Sequence, residues 1–207
     1  MIIACVIAIA GGVLAYIYAD STLWKAVLIT LCVLLAGIMT FFFRNPRRCV
    51  TRDSSLVVAP ADGKVIAVDK VFVDEYFGCE CTRISIFLSL FNVHVTWFPT
   101  GGEITYFKYY PGAHTFAFLP KSSDKNEHSS VVVKDENGRE VMFRQIAGIV
   151  ARRVVCYASV GKSFEQGAEA GFIKFGSRLT VFIPGDSEPL VKPGDKVKGS
   201  VTPLARI

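Results

Sequence analysis

The chain has 207 residues, is 51% hydrophobic and 20% charged, and has a mean hydropathy of +0.40. This length fits one domain with a small appendage and excludes a large multidomain protein. The composition is too apolar for a disordered chain and high for a purely soluble domain, so we expect part of the chain to lie in lipid. The net charge of +5 is modest, and the six cysteines lack the regular spacing of a disulfide framework, which favours a reduced, cytosol-facing protein.

Two apolar runs open the sequence. Residues 1–19 contain no charged side chain, and residues 23–43 contain only Lys25. Each run approaches the roughly 20 apolar residues that a helix needs to cross a bilayer core. The pattern predicts a membrane anchor over residues 1–43, built as a hairpin of two transmembrane helices. One spanning helix beside a core helix is the alternative, whereas a cleaved signal peptide fits less well because no basic residue precedes the first run.

Arginines follow the second run immediately, at positions 44, 47, 48 and 52. Aromatic residues at headgroup level followed by clustered arginine are typical of the cytoplasmic side of a lipid–water boundary. We therefore expect residues 44–207 to form a domain in the cytoplasm, held at the inner membrane, with the arginines near anionic headgroups.

Short β-branched and aromatic runs, broken by Gly, Pro, Asn and Asp, make up the rest of the chain and predict a mostly β domain. Asn137-Gly138 between two runs is a strong hairpin signal, and a short helix is expected around 146–153. Segments 59–65 and 191–201 share a turn-to-strand pattern, which predicts small duplicated sheets in a barrel-sandwich-like fold. The predicted strands are 65–68, 83–88, 93–97, 131–133, 141–143 and 179–183.

Few side chains are candidates for acid–base chemistry, because the chain has only three histidines. His94 lies inside an apolar strand, where a structural histidine is the common case. Asp62 precedes a glycine, where an aspartate usually bonds its own backbone in a turn. Cys79 and Cys81 share one face of a predicted strand, but no neighbouring Cys or His completes a ligand set, so we expect no metal site.

The Gly176-Ser177 step lies between two strand-like runs. A strained bond at such a step could rearrange, because the serine hydroxyl is close to the preceding carbonyl, although an ordinary bulge is more common.

Five motifs occur over nearly the whole chain: FRNP at 43–46, APADGKV at 59–65, FNVHV at 91–95, RQIAG at 144–148 and GFIKFGSR at 171–178. Together, and in this order, they resemble the phosphatidylserine decarboxylase proenzymes, specifically the short membrane-anchored forms of bacteria and archaea. The Phe-Gly-Ser-Arg sequence at 175–178 departs from the Leu-Gly-Ser-Thr of longer members, and Asn-Glu-His at 126–128 departs from the common Asn-Glu-Arg.

The resemblance implies self-processing. Ser177 attacks the carbonyl carbon of Gly176, the amide becomes an ester, and elimination with hydrolysis leaves a covalent pyruvoyl cofactor at position 177. The products are a large chain, 1–176, and a small pyruvoyl chain, 177–207. Asp62, His94 and Ser177 fall where the family has its self-cleavage triad, in which a histidine oriented by a carboxylate takes the proton of the serine.

The implied activity is decarboxylation of phosphatidylserine to phosphatidylethanolamine, through a Schiff base between the pyruvoyl carbonyl and the substrate amine. The implied partners are the phospholipid substrate, the membrane and the two chains of one precursor; no nucleic acid is expected, and homo-oligomerisation stays open. Two alternatives also stay open. One is an archaetidylserine decarboxylase acting on an ether lipid, and the other is a membrane-tethered lipoyl- or biotinyl-like carrier or adaptor, because 191–199 resembles the turn of those domains.

Two further sets of residues are candidates for substrate contact. The apolar residues before the polar loop are candidates for dipping into the membrane interface: Phe116, Phe118 and Leu119. The basic residues are candidates by charge for the substrate phosphate and carboxylate: Arg144, Arg152, Arg153 and Lys174.

Overall fold

The computed structural model describes residues 9–14, 16–17, 21–50, 52–112, 126–148, 154–173, 177–185 and 187–207. These residues divide into two compact units, an anchor unit over Met1–Pro46 and a β unit over Arg47–Ile207.

The anchor unit contains one long apolar helix, α1 (Thr22–Phe42). Ser21 caps its first turn, because the serine hydroxyl accepts the N–H of Trp24 at 3.2 Å. At about 1.5 Å per residue, a helix of 21 residues is long enough to cross a hydrocarbon core. Within the part of the chain that the structure describes, α1 is the one helix that meets this criterion of length and composition.

The predicted hairpin of two transmembrane helices is not supported. The described residues of the first apolar run, 9–14 and 16–17, are helical, and a Cβ at Gly11 would lie 3.7 Å from the Cys32 sulfur of α1. The described part of this segment packs on α1, and the rest of the run lies outside the described residues.

The described residues of the β unit form fourteen strands, and the prediction of a mostly β domain is confirmed. They are β1 (Leu56–Val58), β2 (Gly63–Val73), β3 (Cys79–Leu88), β4 (Val95–Trp97), β5 (Gly102–Tyr110), β6 (His128–Lys134), β7 (Glu140–Ile146), β8 (Val154–Cys156), β9 (Ser163–Phe164), β10 (Glu169–Ile173), β11 (Ser177–Pro184), β12 (Glu188–Pro189), β13 (Lys196–Val197) and β14 (Pro203–Arg206).

The main sheet has eight antiparallel strands in the order β13-β2-β3-β11-β7-β6-β5-β9, and two three-stranded sheets accompany it, β1-β14-β12 and β4-β10-β8. The expectation of small duplicated sheets is therefore wrong for the main sheet. The two similar segments that suggested a duplication instead pair with each other, with Lys196 opposite Lys64 and Val197 opposite Gly63.

Each predicted strand overlaps an observed one, and Asn137-Gly138 lies in the turn that joins β6 to β7. Strand β5 was missed, because its aromatic residues alternate imperfectly with polar ones. The helix expected around 146–153 is not formed where the structure describes this segment: Ile146 ends β7, residues 147–148 have no regular structure, and 149–153 lie outside the described residues.

One face of the main sheet forms the core with both small sheets. Alternate residues of the central strands, such as Ile86 and Val181, are fully buried beside Leu204 of β14 and Ile173 of β10. Phe98, which follows β4, stacks on Phe164 with ring centroids 4.3 Å apart. The period-2 alternation of a strand therefore sends its odd-numbered β11 residues into this core and its even-numbered ones to the other face.

The other face of the main sheet is partly covered by the connection between β2 and β3, because the sheet curls into a half-barrel. Glu75 in this connection accepts hydrogen bonds from Tyr110 of β5 at 2.9 Å and Ser130 of β6 at 3.0 Å, and it pairs with Arg144 of β7. Burial alone would raise the pKa of Glu75, but Arg144 and the hydrogen bonds hold it below its ordinary value.

A substitution at Gly171 tests how closely β10 packs against β8 in the small sheet that contains β4. We expect Gly171→Ala to lower the free energy of unfolding by about 3 kcal/mol or more, because φ is +152° there and a Cβ would lie 2.0 Å from the Val155 carbonyl oxygen. Gly161→Ala is the matched control: φ is +82° but no atom lies within 4 Å, so about 1–2 kcal/mol is expected. Thermal unfolding followed by circular dichroism measures both, and equal losses would contradict the assigned packing.

Candidate active site

One end of the main sheet gathers the residues that the sequence singled out. At this end, which we call the site end, strand register aligns one residue from each of six neighbouring strands in a single row across the sheet. Ser177 begins β11 immediately before the row, His128 belongs to it, and Asp62 directly precedes the strand that starts it. The row consists of Lys64, Phe87, Arg178, Ile146, His128 and Tyr110.

Ser177 is fully buried at the start of β11, opposite Leu88 of β3. Its side chain lies on the core face, and its hydroxyl oxygen has no hydrogen-bond partner among the described residues. A buried hydroxyl without a partner costs free energy, and the rare examples in native structures often have a chemical role. Gly176 lies outside the described residues.

His94 is fully buried just before β4, where the ring lies 6.3 Å from the Phe172 ring. Its Nδ1 is 3.0 Å from the Asn92 carbonyl oxygen. A carbonyl can only accept, so Nδ1 carries the hydrogen and the neutral ring has its basic nitrogen at Nε2. The structure thus orients His94 through a backbone carbonyl.

Strand β10 links the backbone of His94 to the segment that leads to Ser177. The N–H of Ile173, the last residue of β10, donates to the His94 carbonyl oxygen at 3.1 Å. Only residues 174–176 separate Ile173 from Ser177. The segment that would be cleaved therefore runs from the small sheet beside His94 to the central strand of the main sheet.

Asp62 has a different set of contacts from the one that the resemblance implied. Arg48 donates to both of its carboxylate oxygens, at 2.6 and 2.8 Å, and the Gly199 N–H donates at 2.8 Å. The Arg48 guanidinium also lies 4.5 Å from the centre of the Trp97 ring in β4. Asp62 thus neutralises an arginine that packs against β4, the strand that follows His94. Among the described residues, the hydrogen bonds of Asp62 go to Arg48 and Gly199 and not to the His94 ring.

Gln145 of β7 joins the two sheets that carry Ser177 and His94. It lies opposite Leu179, two residues after Ser177. Its Nε2 donates to the Thr96 hydroxyl at 2.6 Å, two residues after His94, and its Oε1 accepts the Ser129 hydroxyl at 2.8 Å. All three side chains are buried, so this bridge sets the position of β4 relative to β11.

Sequence reasoning missed Gln145, Asn92 and the pairing of Arg48. Gln145 and Asn92 lie inside the RQIAG and FNVHV motifs, which was the available signal for them. Arg48 was assigned to lipid headgroups, because sequence does not show that its guanidinium reaches a carboxylate 14 residues away.

The remaining candidates have structural contacts or lie outside the described residues. Burial and the neighbouring Cys79 raise the pKa of the Cys81 thiol to about 12, so it stays protonated at neutral pH. No group of three metal-ligating side chains occurs in the described part of the chain. Arg144 contacts Glu75 as described above. The other substrate-contact candidates are not described: Phe116, Phe118, Leu119, Arg152, Arg153 and Lys174.

The Asn-Glu-His sequence at 126–128, which differs from the family's common Asn-Glu-Arg, makes structural contacts. The Asn126 side chain donates to the Ala147 carbonyl oxygen at 2.8 Å, and Glu127 accepts the Val154 N–H at 2.9 Å. His128 stacks on the Tyr110 ring with centroids 4.5 Å apart. This segment fastens β6 to its neighbours at the site end.

We expect Gln145→Leu to slow any rearrangement at Ser177 at least tenfold and to lower the free energy of unfolding by about 2 kcal/mol, because two buried hydroxyls lose their partner. Thr180→Val is the matched control, since it removes a buried hydroxyl that pairs with Ser85 on the opposite face at 3.3 Å. Intact-mass spectrometry over time measures conversion, and thermal unfolding measures stability. Equal conversion rates in both variants would contradict the bridging role.

Comparisons with known proteins show which sequences this chain resembles. The model of the phosphatidylserine decarboxylase family matches residues 35–205. The chain is 50% identical over 167 residues to the phosphatidylserine decarboxylase proenzyme of Amoebophilus asiaticus, covering 81% of this chain and 74% of that protein. For the proenzyme of Parabacteroides distasonis the identity is 46% over 167 residues, covering 80% and 76%.

The proenzyme of Syntrophus aciditrophicus is 43% identical over 182 residues, covering 87% of this chain and 84% of that protein. The family model covers thirteen of the described strands of the β unit in full and β14 up to residue 205, and it includes Ser177 and His94. The chain belongs to the phosphatidylserine decarboxylase family.

Proposed function

We propose that this protein decarboxylates phosphatidylserine to phosphatidylethanolamine, with a pyruvoyl group formed from Ser177 as its cofactor. The observation that carries the proposal is the buried Ser177 hydroxyl at the start of β11, which has no hydrogen-bond partner among the described residues. Three residues separate Ser177 from β10, the strand whose last residue binds the His94 carbonyl. In a membrane-facing enzyme the substrate amine and carboxylate are at the headgroup, so the reacting groups need not be extracted from lipid.

Self-cleavage between Gly176 and Ser177 is the first step of the proposal. The Ser177 hydroxyl is the nucleophile, and its lack of a partner among the described residues leaves its oxygen available for attack on the Gly176 carbonyl. Water is consumed and ammonia released as position 177 becomes pyruvoyl. When formed, this group supplies an electron-accepting carbonyl for the loss of carbon dioxide.

Strand β11 supports the cofactor in this scheme. Ser177 is paired with Leu88, and the ladder continues on both sides of the strand, to β3 and β7. A new chain end at position 177 would therefore stay buried and fixed in direction, which is what a covalent cofactor requires.

The large and small chains would remain one folded unit after cleavage. Residues 177–207 contain β11–β14, and β11, β13 and β14 pair with strands of residues 1–176. Loss of one peptide bond leaves these ladders and the shared core intact.

His94 is proposed as the base that takes the Ser177 proton. The hydrogen bond from Nδ1 to Asn92 leaves Nε2 as the nitrogen that can accept it. During decarboxylation the same nitrogen would hold the proton that the substrate carbon takes up when carbon dioxide leaves.

Asp62 is proposed to act in self-cleavage through Arg48. Its carboxylate holds the guanidinium against Trp97 of β4, which limits the movement of the strand that directly follows His94.

Membrane attachment is proposed through α1 at the inner membrane, with the β unit on the cytoplasmic side. The support is the length and apolar composition of α1 and the arginines that follow it, whose distribution matches the positive-inside rule.

Intact mass under denaturing, reducing conditions tests self-processing. We expect the wild-type protein to yield two chains divided after Gly176, with the small chain lighter by one ammonia than a serine terminus requires. Ser177→Ala should yield one chain, because the nucleophile is absent. A single uncleaved wild-type chain that also releases no carbon dioxide from phosphatidylserine vesicles would contradict the proposal.

We expect His94→Ala to remain uncleaved or to cleave at least a hundredfold more slowly, because general-base help is lost. Added imidazole should partly restore cleavage by entering the space left by the ring. Intact mass over time measures the rate, and the thermal unfolding midpoint shows whether the variant is folded. A folded His94→Ala protein that cleaves at the wild-type rate would remove His94 from the mechanism.

A further inference from the structure

One turn joins the strand that pairs with Ser177 to the histidine that is proposed as the base. Strand β3 ends at Leu88, which lies opposite Ser177 in the ladder. The chain then turns over residues 89–92, which we call the 89–92 turn, and reaches His94 two residues later. The conformation of this turn therefore bears on the proposed nucleophile and on the proposed base.

The side chain of Asn92 closes the 89–92 turn. Its Oδ1 accepts the Ser89 N–H at 2.9 Å and the Ser89 hydroxyl at 2.6 Å. The Asn92 N–H in turn donates to the Ser89 carbonyl oxygen at 3.0 Å. Hydrogen bonds of this local kind, from side chain to backbone, hold a turn in one conformation. They fix the backbone at Asn92, including the direction of its carbonyl group.

The Asn92 carbonyl oxygen is the partner of the His94 ring, at 3.0 Å from Nδ1. The His94 backbone is held separately, because its carbonyl oxygen accepts the Ile173 N–H at 3.1 Å. The main chain of neighbouring segments thus fixes both the backbone and one ring nitrogen of His94. The hydrogen bond at one nitrogen decides which nitrogen of a neutral imidazole carries the hydrogen, and here that nitrogen is Nδ1.

Asp62, the carboxylate that the resemblance places in a triad with His94, makes its hydrogen bonds elsewhere. In a catalytic triad a carboxylate accepts from Nδ1 and holds the imidazole in its tautomer. Within the described part of the chain, the Asp62 carboxylate accepts from Arg48 and from the Gly199 N–H. The group at Nδ1 is instead the carbonyl of a turn that an amide side chain closes.

We propose that Asn92 is a positioning residue for the base. Its side chain holds the 89–92 turn closed, and the turn directs the Asn92 carbonyl oxygen at His94 Nδ1. The basic nitrogen Nε2 is thereby kept available for the Ser177 proton. This inference deepens the proposed function and rests on it, because His94 is the base there. Asn92 takes the orienting task that a carboxylate has in a triad, and Asp62 has the separate task of holding Arg48.

The tautomer of His94 tests the proposal without requiring catalysis. The full chain with Ser177→Ala is labelled with ¹⁵N-histidine and studied in detergent by nuclear magnetic resonance, at a pH where the imidazoles are neutral. An additional His94→Gln substitution identifies the His94 signals. We expect the hydrogen on Nδ1 when Asn92 is present and a mixture of both tautomers in Asn92→Ala, because a ring without its carbonyl partner can carry the hydrogen on either nitrogen.

Two further variants show which side chain sets the tautomer. Asn92→Asp should keep the hydrogen on Nδ1, because both bonds of the Asn92 side chain to Ser89 go through Oδ1, an oxygen that aspartate also has. Asp62→Asn should keep it as well, because Asp62 bonds to Arg48 and Gly199. An unchanged tautomer in Asn92→Ala would overturn the proposal, and so would a changed tautomer in Asp62→Asn.

Self-cleavage with Ser177 present gives the second readout, by intact mass over time. Asn92→Ala should cleave about tenfold more slowly than wild type, and Asn92→Asp should restore most of that rate. Asp53→Ala is the matched control, because Asp53 accepts the Ser55 N–H at 2.8 Å and the Ser55 hydroxyl at 2.6 Å in a similar turn. Its rate should equal that of wild type. Equal rates for Asn92→Ala and Asp53→Ala would overturn the proposal.

Ser89→Ala keeps the test decisive if thermal unfolding shows that Asn92→Ala is not folded. This milder variant removes only the hydroxyl bond to Asn92, so we expect cleavage to slow about threefold and the Nε2 tautomer to become detectable. Wild-type behaviour in both measurements would overturn the proposal. A wild-type chain that stays uncleaved and makes no phosphatidylethanolamine would instead refute the proposed function, whereas the tautomer would still decide the role of Asn92.

Discussion

The central position of β11 is the constraint on which the rest of the β unit depends. The strand is hydrogen-bonded on both sides, to β3 and β7, and its alternate residues form the middle of the core. A strand in this position cannot shift by one residue without sending Leu179, Val181 and Ile183 to the opposite face. The register that stabilises the core therefore also fixes the position of Ser177, the first residue of the strand.

The proposed site also requires that the small β4-β10-β8 sheet is held in one fixed position relative to β11. The β4-β10-β8 sheet packs on the main sheet through apolar residues such as Ile173, which allow some sliding. Gln145 adds direction, because its buried amide must satisfy the Thr96 and Ser129 hydroxyls at once. Directional hydrogen bonds inside an apolar contact thus place His94 relative to Ser177.

The residues proposed for the chemistry gather at one end of the β unit. The ion pair between Arg48 and Asp62 and the start of β11 both belong to the site end. An enzyme whose substrate cannot leave the bilayer needs its reacting groups at the surface of the domain that faces lipid. Antiparallel topology allows this, because loops from several strands emerge together at each end of a sheet. The family assignment and the pairing of 196–197 with β2 leave no basis for the carrier alternative.

Much of this protein could be predicted from its sequence, because the signals concerned are local. β-branched runs identified the strands, Asn137-Gly138 identified the turn between β6 and β7, and the long apolar run identified α1. The motifs, read together, identified the family and the candidates Ser177, His94 and Asp62. Local patterns failed where pairing partners lie far apart in the chain, as in the eight-stranded sheet that replaced the small duplicated sheets.

By itself the sequence determined the types of element, the apolar helix α1 and the candidates for the catalytic residues, since each depends on side-chain type and on spacing along one segment. Only the tertiary structure decided that Asp62 binds Arg48, that Asn92 orients His94, and that Gln145 bridges the two sheets. These contacts depend on distances between side chains in space, which are set by strand order and register after the core has formed.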